Sequence, residues 1–534
     1  MTVNHDSRRY PTPLLFALFF FALFALHAPL LRLPYFWDEA GYYIPAAHDL
    51  LLSGSVIPTS APSNAHPPLV MAYLALAWKL LGFTPVVTRT SMLVIAAFAL
   101  LGVFRLAQRV ANTEVAIASA ICTALYPVFF TQSGFAHLDM AAAAFTFWGL
   151  LAYIEDRRPA IAIWFSLAVL AKETAILAPL ALVGWELLAR WIRPTDGSRR
   201  TLHNLPLLAP TIPLTLWYAY HYHRTGFLFG NPEFFRYNVQ ATMHPLRILL
   251  AFGMRLWQLL AYLNLYLLSL ATALAMFRNP IDDRQRIALP VQFAFLSVIL
   301  AYAFAMAVIG GAVLARYMLP VVPLAILICV STLRRRVQVW PAIVAAIGLA
   351  FVAALFANPP YGLSLEDNLA YRDYILLHQR AETFVEARYP TARVLTAWPA
   401  SDELTRPYLG YVTRPVRVVR IEDFTAEQLF GAADLRSQFD VALVFSTKYE
   451  PPHPIFERWT TWQRWKTEFF GYHRDVPPAA AAQILGGQLV YEDYRTGQWM
   501  AVIEIAQIEE GRANAKMPGI LANSGHRGLS IRQR

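Results

Sequence analysis

Runs of roughly 20 apolar residues, the length that crosses a hydrocarbon core as a helix, recur through the first two thirds of the chain between short polar stretches. They place candidate spans at 14–31, 86–104, 113–131, 139–154, 159–171, 174–191, 205–221, 256–277, 287–308, 317–333 and 337–357. The fifth run is short and reads as half of a broken helix. Two other stretches, 67–82 ("PPLVMAYLALAWKLLG") and 245–255 with Arg247 and Arg255, mix apolar and cationic positions as helices lying in the interface do. Beyond residue 357 the period changes. "LEDNLAYRDYILLHQRAETFVEARY" reads as an amphipathic helix, while "RVLTAW", "VRVVRI" and "DVALVFS" read as short buried strands separated by helical or loop segments. The pattern predicts a polytopic α-helical membrane protein of about 11 transmembrane helices over residues 1–357, an α/β domain over 358–508, and a polar, disordered tail over 509–534.

Charge gives this pattern a direction. Arg8/Arg9, Arg105/Arg109, Arg157/Arg158, "RWIRPTDGSRR", "RNPIDDRQR" and the arginines at 334–336 all fall in loops on one side. By the positive-inside rule that side is the cytoplasm. The amino terminus is then cytoplasmic, and the α/β domain is expected outside. Composition agrees: 57% of the 534 residues are hydrophobic and 15% are charged, against about 25% charged in a soluble domain. The formal charge of +10 is dispersed among the loops, so it reports topology and implies no nucleic-acid partner. Cys122 and Cys329 both lie in apolar runs, which excludes a disulfide framework and a cysteine metal site. A cleaved signal peptide fits 14–31 less well than a retained anchor, given the ten runs that follow.

Sorted by side, the unusual polar residues gather in the outer loops. Asp38 and Glu39 sit in "YFWDEAGYY" and His66 in "HPPL"; "FAHLDM" carries His137 and Asp139, "AKETA" carries Lys172 and Glu173, and "ARYMLPVVP" carries Arg316 and Tyr317. Ionisable groups at membrane level cost a few kcal/mol each on insertion scales, so such clusters mark a site or a paired structural contact. Carboxylates with Lys, Arg and His around one aqueous cleft suit an anionic, lipid-linked substrate and an acceptor that must lose a proton. His137 is read as structural. Two other classes stay open: a secondary transporter, which would place its ionisable groups near the midplane of two similar halves, and a non-catalytic anchor or sensor displaying the α/β domain.

The ordered set resembles a known family. An Asp-Glu pair after the first span, "HPPL" about 27 residues later, an outer-loop "LDM" and "RYMLPVVP" near a late span are similar to the bacterial family-39-type glycosyltransferases of the GT-C fold, relatives of protein O-mannosyltransferases and of the aminoarabinose transferase of lipid A. The likeness runs over roughly residues 10–335. It implies transfer of a sugar from a polyprenyl-phosphate donor to an extracytoplasmic acceptor by an enzyme of the bacterial inner membrane. On the matching positions, Asp38 resembles the catalytic general base, with Glu39 orienting it or the acceptor, and Asp139 resembles the second-loop acidic residue that helps bind the acceptor or arrange the site. His66, Lys172 and Arg316 are candidates for the phosphate clamp, with Glu173 and Tyr317 beside them as substrate-binding positions. No cofactor is implied, and no divalent metal is indicated. "AKETA" stands where the aminoarabinose branch has a "KGP"-like run, so the resemblance does not carry lipid A over as the acceptor.

Overall fold

Caps and prolines set the helix boundaries in the computed structural model, which describes residues 11–192, 205–232, 235–236, 239–451, 455–456 and 458–506. The expected tail at 509–534 lies outside these residues. The chain divides into two packing units: Met1–Arg32, Gly41–Pro359 and Leu363–Ala370 form the first, and Leu33–Ala40, Pro360–Gly362 and Tyr371–Arg534 form the second.

In the first unit a helix occurs at each of the eleven places the apolar runs mark. Among the described residues five helices are long and apolar enough to cross a membrane, or six if one bent pair counts as a span. The central one is Pro85–Val110. Thr84 accepts from the Val87 amide as its N-cap, Pro85 occupies the first turn where its missing N–H costs nothing, and 72% of its most apolar window is buried. The bent pair is Thr113–Leu125 with Pro127–Gly134, turned by 68°. Its cause is Pro127, which cannot continue the backbone ladder and holds Tyr126 extended at ψ 123°. The helices Leu138–Ile154 and Arg158–Ala171 pack so closely that a Cβ on Gly149 would lie 2.7 Å from the Phe165 ring. The second of them stops at Lys172, whose extended backbone (φ −155°, ψ 128°) interrupts the run before the turn Glu173–Ile176 and the helix Leu177–Ile192.

The stretch at 245–255 departs from expectation. It continues as Pro245–Leu260 into Leu265–Met276 across a kink where Leu263 and Asn264 have positive φ, and Arg247 and Arg255 are buried. The reason is the carboxy-terminal end of Leu289–Val308, whose last carbonyls have no partner within the helix. Arg247 donates to the carbonyls of Ala307, Gly310 and Gly311, and Arg255 to those of Met306 and Leu314. Cations at a helix carboxy terminus also complement its dipole.

The second unit is built on a five-stranded sheet: β1 (Arg393–Ala397), β2 (Arg417–Ile421), β3 (Val441–Phe445), β4 (Gly487–Arg495) and β5 (Gln498–Ile505), in the order β2-β1-β3-β5-β4. The first three are parallel and are the strands read from the sequence; β5 runs antiparallel to β3 and to β4. The β4–β5 hairpin went unread because its turn is Thr496-Gly497, both at positive φ, in place of the Asn-Gly or Asp-Gly that such turns usually carry. The segment Leu33–Ala40 packs with this unit. Tyr411 donates its hydroxyl to the Tyr35 carbonyl at 3.0 Å, Phe36 and Trp37 lie against Tyr374, and Trp37 lies against Trp398.

Candidate active site

Asp38 and Glu39 therefore belong to a short segment held by the second unit. Trp37 takes a left-handed φ of 46°, and a single π-helical turn, Glu39–Tyr43, follows. π-turns are rare and recur at functional sites. The two carboxylates differ: Asp38 is half-buried, whereas Glu39 is fully buried and accepts the Phe36 amide at 2.9 Å. That bond closes the turn on itself and aims Glu39 inward.

In the first unit the remaining candidates are assembled from well-separated loops. Asp139, in the first turn of Leu138–Ile154, accepts from Lys172 Nζ at 2.6 Å, and its second oxygen lies 3.5 Å from Arg316 Nε. Lys172 Nζ stands 4.2 Å from the centre of the Tyr317 ring, and the guanidinium of Arg255 stands over the same ring at 5.5 Å. Thus the break in the helix at Lys172 aims that ammonium at Asp139, while Arg255, by capping the loop that ends at Leu314, seats the turn Ala315–Met318 that carries Arg316 and Tyr317. Arg316 is 2% exposed. Its Nη1 reaches Glu366 Oε2 and lies 3.2 Å from His137 Nδ1, which is itself 2.8 Å from the Gln132 side-chain oxygen. Burial, then the positive charges of Arg316, Lys172 and Arg89, push the His137 imidazole well below its usual range.

His66 and Glu173 form a second pair, Nδ1 to Oε2 at 2.8 Å. Because Glu173 follows Lys172 directly, this pair is continuous through the backbone with the Asp139–Lys172 contact. Tyr43 packs against both His66 and His137. Tyr42, Tyr43, Asn64, His66 and Trp217 also line a small cleft. The loop bearing His66 is anchored by His221, 2.7 Å from Ser63 Oγ, and by Trp217, which donates to the Ala65 carbonyl.

Two acidic residues escaped the sequence reading. Glu366 and Asp367 sit in the turn Leu365–Asp367, ahead of the helix Ala370–Arg388 to which they seemed to belong. The turn is tied to the membrane unit through Thr131, which donates to the Glu366 carbonyl, and through Tyr262, which donates to Asp367 Oδ2 at 2.7 Å. Burial pushes the Asp367 carboxyl up to about 7, against the pull of Tyr262, Arg316 and Arg255. Unfolded, the same carboxyl ionises near pH 4. Between about pH 4 and 7 the folded state holds a proton that the unfolded state has released, so Asp367 contributes less stability as pH rises through this window and changes little above it. Asp367→Asn keeps an acceptor for Tyr262 but cannot titrate. Its melting temperature in detergent, relative to the native protein, is expected to rise as pH rises through that window; a difference that stays flat with pH would refute the assignment.

Residues 65–223 match the family model of dolichyl-phosphate-mannose-protein mannosyltransferases. No curated protein matches the chain by sequence. Among solved structures, ArnT from Cupriavidus metallidurans bound to undecaprenyl phosphate superposes with a TM-score of 0.55 at 14% identity, covering 92% of this chain and 97% of that one. The same enzyme in its apo state gives 0.50 at 14% identity with the same coverage. The likeness implied by the ordered motifs is thereby borne out: this chain has the GT-C fold of the membrane glycosyltransferases.

Proposed function

We propose that the protein transfers a sugar from a polyprenyl-phosphate donor to an acceptor outside the cytoplasm. The observation that carries this reading is the buried network Asp139–Lys172–Arg316–Glu366 with His137, drawn from four separate loops in a chain whose fold matches an enzyme solved with undecaprenyl phosphate. Burying four charges is expensive, and a membrane unit that needed only to fold would be as stable with apolar residues there. In the reaction, Asp38 takes the proton of the acceptor hydroxyl while the acceptor oxygen attacks the anomeric carbon; the bond from that carbon to the phosphate oxygen breaks, with inversion. The leaving phosphate needs little acid help, its second pKa being about 6. It needs cations to hold the charge that develops.

Of the three residues expected to bind it, Lys172 fits best: it hydrogen-bonds to Asp139 and stands over Tyr317. Arg316 is held by Glu366 and His137, so its role is to fix Asp139 and the turn around it, and His66 is held by Glu173 at the edge of the cleft. The eleven-span arrangement, with a cytoplasmic amino terminus, an outer second unit and a place in the bacterial inner membrane, belongs to the same proposal. Its test is reconstitution in liposomes with undecaprenyl-phosphate pentose and hexose donors and an envelope extract as acceptor. Donor-dependent release of undecaprenyl phosphate is expected for at least one sugar. Absence of release with every donor, from protein that melts cooperatively, would rule out the transferase reading.

A further inference from the structure

Within the second unit, away from every residue assigned above, three donors meet in the core. His378 and Glu382 are spaced i,i+4 on Ala370–Arg388 and so share one face. Glu403 comes from the short helix Ala400–Thr405 that follows β1. His378 Nδ1 lies 2.6 Å from Glu403 Oε2 and 3.4 Å from Glu382 Oε1, and one donor atom from each residue falls within 4.8 Å of the other two. The three side chains are at most 1% exposed. Among the described residues both oxygens of Glu382, Oε1 of Glu403 and Nε2 of His378 are buried without a hydrogen-bond partner.

We propose that His378, Glu382 and Glu403 are the ligands of a divalent cation of the zinc class. Imidazole nitrogen and carboxylate oxygen are both ligands of that ion, whose bonds to them of about 2.0–2.2 Å set tetrahedral ligands about 3.4 Å apart. The His378–Glu382 separation already has that value, and the His378–Glu403 separation falls short of it by less than an ångström. A buried carboxylate with no partner is costly unless a charge answers it. One proton shared between Glu382 and Glu403 answers two oxygens; a cation answers both side chains and draws in the imidazole. Tyr374, one turn before His378, has a buried hydroxyl that likewise lacks a hydrogen-bond partner.

The ion would tie Ala370–Arg388 to the helix after β1, and its influence reaches further. Tyr374 stacks on the His378 ring at 3.9 Å and receives the rings of Phe36 and Trp37 at 5.2 and 5.6 Å. These are the two residues immediately before Asp38, so the metal stiffens the seat on which the acidic pair rests.

The test uses the full-length protein in detergent, stripped with a chelator, dialysed and titrated with Co²⁺ as a visible stand-in for Zn²⁺, with bound metal counted by elemental analysis. One equivalent with a tetrahedral cobalt spectrum is expected, a higher melting temperature with Zn²⁺, and loss of that equivalent in Glu382→Gln and His378→Asn. Wild-type protein that retains no stoichiometric metal overturns the proposal without any variant, and leaves a proton shared between the carboxylates. Retention of the equivalent and its spectrum in both variants overturns it as well, by placing the metal elsewhere. Neither result bears on sugar transfer, which is read separately.

Discussion

Arg316→Ala is expected to abolish transfer and to lower stability by about 3–5 kcal/mol, the usual cost of removing one partner from a buried ion pair. The guanidinium answers Glu366 directly and Asp139 at 3.5 Å. Without it Asp139 keeps Lys172, but Glu366, a buried carboxylate, loses the hydrogen bond and the positive charge that Arg316 supplies. The double variant Arg316→Ala/Glu366→Gln removes that charge and is therefore expected to regain part of the lost stability without regaining transfer. Neighbouring groups in one network couple by about 0.5–3 kcal/mol. Arg316→Lys should rescue little, since an ammonium cannot present the planar fork that spans Glu366, His137 and Asp139 at once. Chemical unfolding in detergent, followed for the two single variants and the double, gives the coupling. Strictly additive losses would mean that Arg316 and Glu366 do not depend on each other.

Asp38→Asn is expected to reduce the transfer rate about 10²–10⁴-fold, the range that a positioned general base contributes, while leaving the melting temperature within the scatter of a surface substitution. The two effects separate because of where the carboxylate sits. Asp38 is half-buried, so an amide of the same shape replaces it at little cost. Glu39 is fully buried and holds the Phe36 amide; Glu39→Ala should show the reverse profile, a loss of stability with slower transfer following from a misplaced turn. A transfer assay over several donor concentrations distinguishes the two, since loss of a base lowers kcat and leaves KM for the donor unchanged. Undiminished kcat in Asp38→Asn would remove the base from the mechanism.

How far the sequence reaches is clearest in particular residues. Asp139, Lys172, Arg316 and Tyr317 were legible because an ionisable residue inside an apolar run is conspicuous, and all four meet. Glu366 and Asp367 were hidden by a local signal of equal strength: acidic residues just before a helical pattern read as the start of that helix, and nothing local records that Thr131 and Tyr262 draw the turn elsewhere. Arg247 and Arg255 made 245–255 read as a helix lying in the interface, because hydropathy counts charges and does not see which carbonyls at 306–314 lack donors. The helices followed from composition with boundaries a few residues off, and the bend at Pro127 follows from proline's missing donor, although 113–131 was read as one straight span. His137, read as structural, does hold structure, but it does so at the centre of the cluster, against Arg316.

The return of the turn Leu365–Asp367 into the membrane unit alters where the protein can be cut. Hydropathy ends at residue 357, and an engineer separating the two halves would place the boundary there. A chain severed at that point discards the carboxylate that Arg316 meets most closely and the acceptor of the Tyr262 hydroxyl, and leaves the buried guanidinium with a weaker counter-charge, Asp139 at 3.5 Å. A minimal version of the first unit should therefore retain the chain through Ala370.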